Sequence, residues 1–331
     1  MPCARQAPAH GAGASAADTD GLVQIPPSVL ASDPPRLSEM LGPWSRDAPA
    51  LRERFRGAAP YPHVVIDDFL APDLAAQLAR DFPAPDADLW HVYDNPLEKK
   101  RACSSTGRLP TSLREAIFAL CGPAVVELMR QIAGVDADAE LQADRFCHGG
   151  GLHCLASGGK LDVHLDYSLH PRSGLERRLN LIVFLNEEWE EGYGGELQLF
   201  DAERDEEVSS PSHRWRPGAC RARVLPTFNR AVLFDTTAPS FHGLPDPIRC
   251  PASMARQSIA LYYLTPPRNG ASSRSKALFV ATPGDEPDDE LEHLRQLRAE
   301  RRLVPSDFAR QAGEAATRSV HQQQLLPQQV D

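Results

Sequence analysis

Gln257-Ser-Ile-Ala-Leu-Tyr-Tyr-Leu264 closes a series of short β-branched and aromatic runs that also includes Leu179–Leu185, Glu196–Phe200 and Arg230–Phe234. Short strands punctuated by Gly, Pro and Asn predict a β-sandwich or barrel, here over residues 141–266. Successive side chains of a strand point to opposite faces, so the run that begins at Arg256 places Arg256, Ser258, Ala260 and Tyr262 together. An arginine opening an otherwise apolar strand needs an anion beside it. A structural Asp or Glu at a sheet edge would answer. So would a bound carboxylate, which a guanidinium and a neighbouring hydroxyl grip through several hydrogen bonds.

Upstream of this core the pattern turns helical. Tyr61–Leu70 reads as a strand, and Pro72-Asp73 opens a helix with Leu74, Leu78 and Phe82 on one stripe. A second helical stretch spans Ser112–Ile132, and Gly122-Pro123 is placed to break it in two. Residues 46–140 therefore form a helical N-terminal flank of this core. Residues 1–45, rich in Ala, Pro, Gly and Asp, read as a disordered leader. Residues 267–331 form a polar tail with an acidic run over Asp285–Glu292, an exposed helix over Leu291–Arg302 and a Gln-rich disordered end. The fold class is mainly β with flanking helices (α+β).

The 331 residues are 42% hydrophobic, enough for one large core, and carry a formal net charge of −10, which argues against a nucleic-acid-binding surface. Lys99-Lys100-Arg101 and Arg177-Arg178 are local basic patches whose simplest setting is a solvated loop. Seven cysteines without a C-x-x-C spacing fit a reduced, intracellular protein. No secretory signal and no stretch of membrane-spanning length is present, so a soluble, cytoplasmic protein with no membrane partner is expected.

Chemistry concentrates in His164-Leu-Asp166 and in His242 of Pro239-Ser-Phe-His-Gly-Leu-Pro245. On a strand His164 and Asp166 project from one face while Leu165 turns to the core. Gly and Pro around His242 let the backbone turn a third ligand inward. Two imidazoles and one carboxylate occupy one face of a metal octahedron and leave the rest open, which suits Fe(II). A zinc hydrolase could use the same donors but would not call for the Arg256/Ser258 clamp. A non-catalytic jelly-roll binding module is the further alternative.

In this order the elements resemble the Fe(II)/2-oxoglutarate-dependent dioxygenases, in particular the prolyl 4-hydroxylase-like branch. The likeness spans residues 61–265 and runs through Asp67-Asp-Phe-Leu70, the H-x-D strand, Arg178-Leu-Asn-Leu-Ile-Val-Phe-Leu-Asn186, Trp189, Gly194-Gly-Glu-Leu197, His242 and Arg256-x-Ser258. It implies a double-stranded β-helix (jelly-roll) core in which His164, Asp166 and His242 hold Fe(II). Arg256, assisted by Ser258, would anchor the distal carboxylate of 2-oxoglutarate. It further implies O2 as the second co-substrate, succinate and CO2 as products, and ascorbate as an auxiliary. Relatives often carry tyrosines where this chain has Leu155 and Phe184; Asn180 and Tyr262 are the inward-facing substitutes. Halogenating relatives lack the carboxylate that Asp166 supplies, so hydroxylation is implied. The family-level substrate is a prolyl residue of a peptide or protein, with a small molecule as the alternative. Trp90–Pro96, Lys99–Arg101 and His170–Arg178 are the candidate substrate-facing loops. Oligomeric state is not read from the sequence.

Overall fold

A computed structural model describes residues 37–204, 215–237 and 239–308. Eight strands make the core: β5 (Gly151–Ala156), β6 (Lys160–Leu165), β7 (Glu176–Phe184), β8 (Leu197–Arg204), β9 (Trp215–Val224), β10 (Arg230–Asp235), β11 (His242–Leu244) and β12 (Ala255–Thr265). They form two antiparallel ladders, β10-β7-β12-β5 and β6-β11-β8-β9, joined through β3 (Glu98–Cys103), which pairs with both β5 and β6. The chain shuttles between the ladders in the manner of a double-stranded β-helix, as the sequence predicts. β1 (His63–Ile66) extends the first ladder beyond β10, β2 (His91–Asn95) forms a hairpin with β3, and the short β4 (Gln142–Ala143) pairs with the end of β12.

Strand alternation decides what each face does. On β7 and β12 the side chains of Leu179, Leu181, Val183, Ile259, Leu261 and Tyr263 turn outward into the main hydrophobic core. Helices α1 (Ala48–Gly57), α2 (Pro72–Arg80), α3 (Thr111–Leu120) and α4 (Pro123–Ala133) cover that face with Leu51, Phe55, Leu78, Leu113, Ile117, Val125 and Met129. Proline occupies the first turn of α1, α2 and α4, where its missing N–H leaves no carbonyl unpaired. The break expected at Gly122-Pro123 falls between α3 and α4, which are bent by 53°. Tyr263 donates its hydroxyl to the Leu120 carbonyl at 3.1 Å and ties sheet to helix. The opposite residues of β7 and β12 line the barrel interior.

Three expectations need correcting. The leader is shorter than predicted within the described residues. Met40 and Leu41 are buried, and the Gly42 N–H donates to the Phe69 carbonyl at 2.9 Å, because two apolar side chains there have a place on the core. Trp90 is not on a substrate loop: it is buried against Phe82, with its indole N–H on the Ala84 carbonyl. Lys99–Arg101 lies within β3 rather than in a loop, and Lys100 pairs with the buried Glu98.

Beyond Pro266 the chain contributes to the core. Arg268 grips Glu176 through two side-chain hydrogen bonds of 3.1 and 2.9 Å, and β13 (Leu278–Phe279) pairs with β6 opposite His164 and Leu165. Helix α5 (Asp289–Glu300) packs behind β13, with Leu294 buried and Arg298 bonded to Glu98 at 2.9 Å. The helix is close to the predicted Leu291–Arg302, but one face is covered. The Gln-rich end lies outside the described residues.

Leu181, fully buried between strand and helix layers, provides the test of this arrangement. Leu181→Ala is expected to cost about 2–5 kcal/mol in urea unfolding. A loss below about 1 kcal/mol would show that the helices do not seal this sheet.

Candidate metal and co-substrate site

The site begins with a strand pairing. In the β6–β11 ladder His242 stands directly across from His164, so the two imidazoles share one side of the sheet with ring centroids 4.4 Å apart. Gly243 permits the approach: a Cβ there would meet the Leu161 carbonyl oxygen at 2.9 Å and the Asp162 carbonyl oxygen at 3.0 Å. Both rings are held by the carbonyl two residues upstream. Nδ1 of His164 lies 2.9 Å from the Asp162 oxygen, and Nδ1 of His242 lies 2.8 Å from the Ser240 oxygen. A carbonyl only accepts, so Nδ1 carries the proton in each ring and the Nε2 lone pair faces the cavity. Phe279 stacks on His164 and Phe234 packs edge-on against His242, which fixes both ring planes.

Asp166 follows β6 and completes the set. Its carboxylate lies 3.9 Å from Nε2 of each histidine, and one ligand atom from each residue falls within 4.8 Å of the others. Burial opposes charge on Asp166. The Arg177 guanidinium, the two imidazoles and the Asn180 amide outweigh it and bring its pKa down to about 2. Burial, followed by the neighbouring His242, lowers His164 to about 3. A neutral imidazole and an ionised carboxylate are the protonation states that bind a cation. The three residues therefore fit a divalent metal with nitrogen and oxygen preference.

Arg256 and Ser258 face the same interior, both buried. Arg256 Nε donates to the Gly195 carbonyl at 2.7 Å, and its guanidinium lies 4.8 Å from the centroid of the Phe184 ring. Gly195 adopts φ +76°, and a Cβ there would meet Arg256 Cδ at 3.3 Å, so the Gly194-Gly195 turn makes room for the arginine. Burial pulls Arg256 down to about 10, opposed in part by Glu196. No carboxylate stands within ion-pair distance of Arg256 among the described residues, so the structural anion allowed by the sequence is not found there. Phe184 has no hydroxyl to offer but supports the cation with its ring face. Leu155 packs with Trp189, Leu244, Ile248 and Cys250 and offers no polar contact.

Asn180 and Tyr262 are brought to the metal side instead. Asn180 Nδ2 donates to Asp166 Oδ2 at 3.3 Å, and the Tyr262 hydroxyl donates to Oδ1 at 3.4 Å. The Asn180 Oδ1 is buried and without a partner.

Two residues escaped the sequence reading. His153 lies opposite Ser258 across the β5–β12 ladder, on the face that carries Leu155; burial, Lys100 and Arg256 hold its pKa at about 3, so it is neutral. Its inward alternation with Leu155 was the available signal. Arg177, read as part of a solvated basic pair, is 2% exposed and lies 3.2 Å from Asp166 Oδ1. Along the expected substrate loop His170 is also buried, 3.4 Å from Asp144, and only Pro171–Gly174 is exposed.

Comparison with known proteins agrees with this geometry. Residues 150–264 match the family model of the 2OG-Fe(II) oxygenase superfamily, a segment that includes the three metal-ligand candidates, Arg256 and Ser258. Residues 150–264 thus resemble a 2OG-Fe(II) oxygenase domain, and Fe(II), 2-oxoglutarate and O2 are the cofactor and co-substrates of that family. No curated protein matches the chain. Among solved structures it is similar to a prolyl hydroxylase from Trichoplax adhaerens in complex with a hypoxia-inducible-factor peptide fragment. The two share 17% identity at a TM-score of 0.44, covering 67% of this chain and 90% of that one. It is similar to a Pseudomonas putida prolyl-4-hydroxylase at 18% identity and TM-score 0.43, covering 66% of this chain and 100% of that one. The epimerase SnoN, in complex with Fe3+, alpha-ketoglutarate and nogalamycin RO, aligns at 13% identity and TM-score 0.45, with 73% and 93% coverage.

The triad predicts metal-dependent stability. Anaerobic Fe(II) at a hundred times its Kd is expected to add about 2.7 kcal/mol to unfolding, reversed by chelator. His164→Ala and Asp166→Ala should abolish that increment, and its persistence in either variant would move the metal elsewhere. Arg256→Ala is expected to weaken 2-oxoglutarate binding by at least about tenfold in calorimetry. Arg256→Lys should recover only part, because a point charge lacks the guanidinium fork. Unchanged binding in Arg256→Ala would place the anchor on another cation.

Proposed function

We propose that this protein hydroxylates an unactivated C–H bond, most directly of a prolyl residue in a peptide or protein, using 2-oxoglutarate and O2 and releasing succinate and CO2. The observation that carries the reading is the pairing of an open His-Asp-His set with Arg256, a buried cation that no carboxylate of the described chain neutralises. A metal alone explains the first feature and not the second. A dicarboxylate co-substrate explains both, because its far carboxylate supplies the missing anion.

His164, Asp166 and His242 would hold the iron, which when bound supplies the oxidising chemistry. Arg256 and Ser258 orient the co-substrate from the opposite end, and Phe184 keeps water from the guanidinium. Hydroxylation rather than halogenation follows from Asp166, which occupies the position that halogenating relatives leave open and is held by an ion pair with Arg177 and two side-chain hydrogen bonds. The order of elements shared with prolyl hydroxylases supports the peptide substrate. Ascorbate belongs to the same reading as the reductant that sustains turnover.

A succinate-release screen over proline-containing peptides, free amino acids and small metabolites, followed by mass spectrometry, tests this. The expected result is succinate coupled to a gain of one oxygen on a prolyl residue. Coupled turnover on small molecules alone would overturn the peptide assignment. Ferrous-dependent binding of 2-oxoglutarate without turnover on any class would overturn the enzymatic one.

A further inference from the structure

Arg177 is the most confined charge beside the candidate metal. Its guanidinium carbon lies 3.2 Å from the centroid of the Tyr167 ring and 3.3 Å from that of Tyr262, so the planar cation is stacked between two aromatic faces. Nη1 lies 3.2 Å from Asp166 Oδ1, and Nη2 donates to the His148 carbonyl at 2.6 Å. The Tyr167 hydroxyl donates to the same carbonyl at 2.8 Å. Glycines shape the seat. A Cβ on Gly149, at φ +73°, would come within 3.0 Å of Arg177 Nη2, and a Cβ on Gly150 would meet the Ala260 carbonyl oxygen at 2.6 Å. The loop that carries them is locked by Asp144, which accepts from the Phe146 and His148 N–H groups at 2.9 Å.

Such a seat is costly if its only purpose is packing. Burying a cation carries a penalty of several kcal/mol, and apolar side chains of like volume often stabilise a core at least as well. Arg177 also leaves its Nε buried and without a partner. What a guanidinium adds over an apolar residue is a fixed positive charge against Asp166, beside the donors of Tyr262 and Asn180.

Those partners fall unequally on the two carboxylate oxygens. Oδ1 lies against the Arg177 guanidinium at 3.2 Å and accepts from the Tyr262 hydroxyl, whereas Oδ2 accepts from Asn180 Nδ2. A carboxylate offers about four lone-pair sites in all, two on each oxygen. Oδ1 carries the charged partner and one hydrogen bond, and Oδ2 only one neutral donor, so Oδ2 is the oxygen left freer for a cation. Accepting the 2OG-Fe(II) reading of the site, we infer that Arg177 is a positioning residue that restricts Asp166 to ligating the metal through Oδ2 alone. It thereby keeps the position a second carboxylate oxygen would take free for the co-substrates. Tyr167, Tyr262 and the Gly149–Gly151 run serve to hold it in that pose.

The test uses the full chain loaded anaerobically with Co(II), which reports coordination number through its visible absorption. In Arg177→Gln the carboxylate loses its charged partner, so Co(II) is expected to bind about threefold or more tighter in calorimetry. Its spectrum should change, and 2-oxoglutarate should bind the Co(II) form at least about tenfold more weakly. Arg177→Lys, which keeps the charge, should return Co(II) affinity toward wild type. A folded Arg177→Gln protein with unchanged Co(II) spectrum and affinity would overturn the inference, as would weaker Co(II) binding with normal 2-oxoglutarate affinity. If Arg177→Gln loses its near-ultraviolet circular dichroism, Tyr262→Phe replaces it. That variant removes one donor from Oδ1 while keeping the stack, and it should move the spectrum in the same direction by a smaller amount; an unmoved spectrum overturns the inference. Wild-type protein that shows no Co(II) binding dependent on His164 would overturn the metal reading itself, a failure distinct from these.

Discussion

The antiparallel pairing of β6 with β11 is the constraint on which the rest depends. It sets His242 opposite His164 although 78 residues separate them, and it does so only because Gly243 lets the backbones approach. Once the strands pair, the carbonyls of Asp162 and Ser240 select the tautomer of each ring, and Phe279 and Phe234 hold the ring planes. Asp166 then needs to emerge only just beyond the end of β6 to complete the donor set. The candidate ligands are thus held by backbone geometry, which makes them rigid without a metal.

Two buried arginines divide the cavity. Arg177 sits on the metal carboxylate and is compensated by it, by a carbonyl and by two aromatic faces. Among the described residues Arg256 has a single carbonyl and one aromatic face, and no carboxylate within ion-pair distance. A buried charge without a counterion is expensive in a low-dielectric interior, so the cavity is poised for an anion at Arg256 and not at Arg177. This asymmetry separates the two, although both are buried arginines of the same barrel.

Much of this was legible in the sequence because it follows from local rules. Alternation alone put Arg256, Ser258 and Tyr262 on one face and turned Asn180 inward. Proline marked the starts of α2 and α4, and Gly122-Pro123 marked the break. Arg177 was not legible, for a specific reason. Across β7 and β12, Tyr263 faces Leu179 while Leu264 faces Arg177, so Arg178 is an extra residue in the ladder. That bulge reverses the alternation and turns Arg177 to the side of Tyr262. Its partners also come from His148, Asp166 and Tyr262, on three separate segments. The segment beyond Pro266 was hidden in a similar way. Its polar composition describes the outer face of α5, while Phe279 and Leu294, the residues that bind it to the core, are too few to form a pattern. Trp90 misled by type alone, since an aromatic beside polar residues reads as a contact residue until its partners are seen.

The central claim is that one cavity holds iron on the His164–Asp166–His242 face and a dicarboxylate against Arg256. Iron-edge anomalous diffraction from crystals grown anaerobically with Fe(II) and 2-oxoglutarate addresses it most directly. The expected result is a single strong peak bonded to Nε2 of both histidines and to one oxygen of Asp166, with density for 2-oxoglutarate running from that peak to the guanidinium of Arg256 and the hydroxyl of Ser258. An iron peak away from these three side chains, or 2-oxoglutarate bound with its far carboxylate on a different cation, would contradict it.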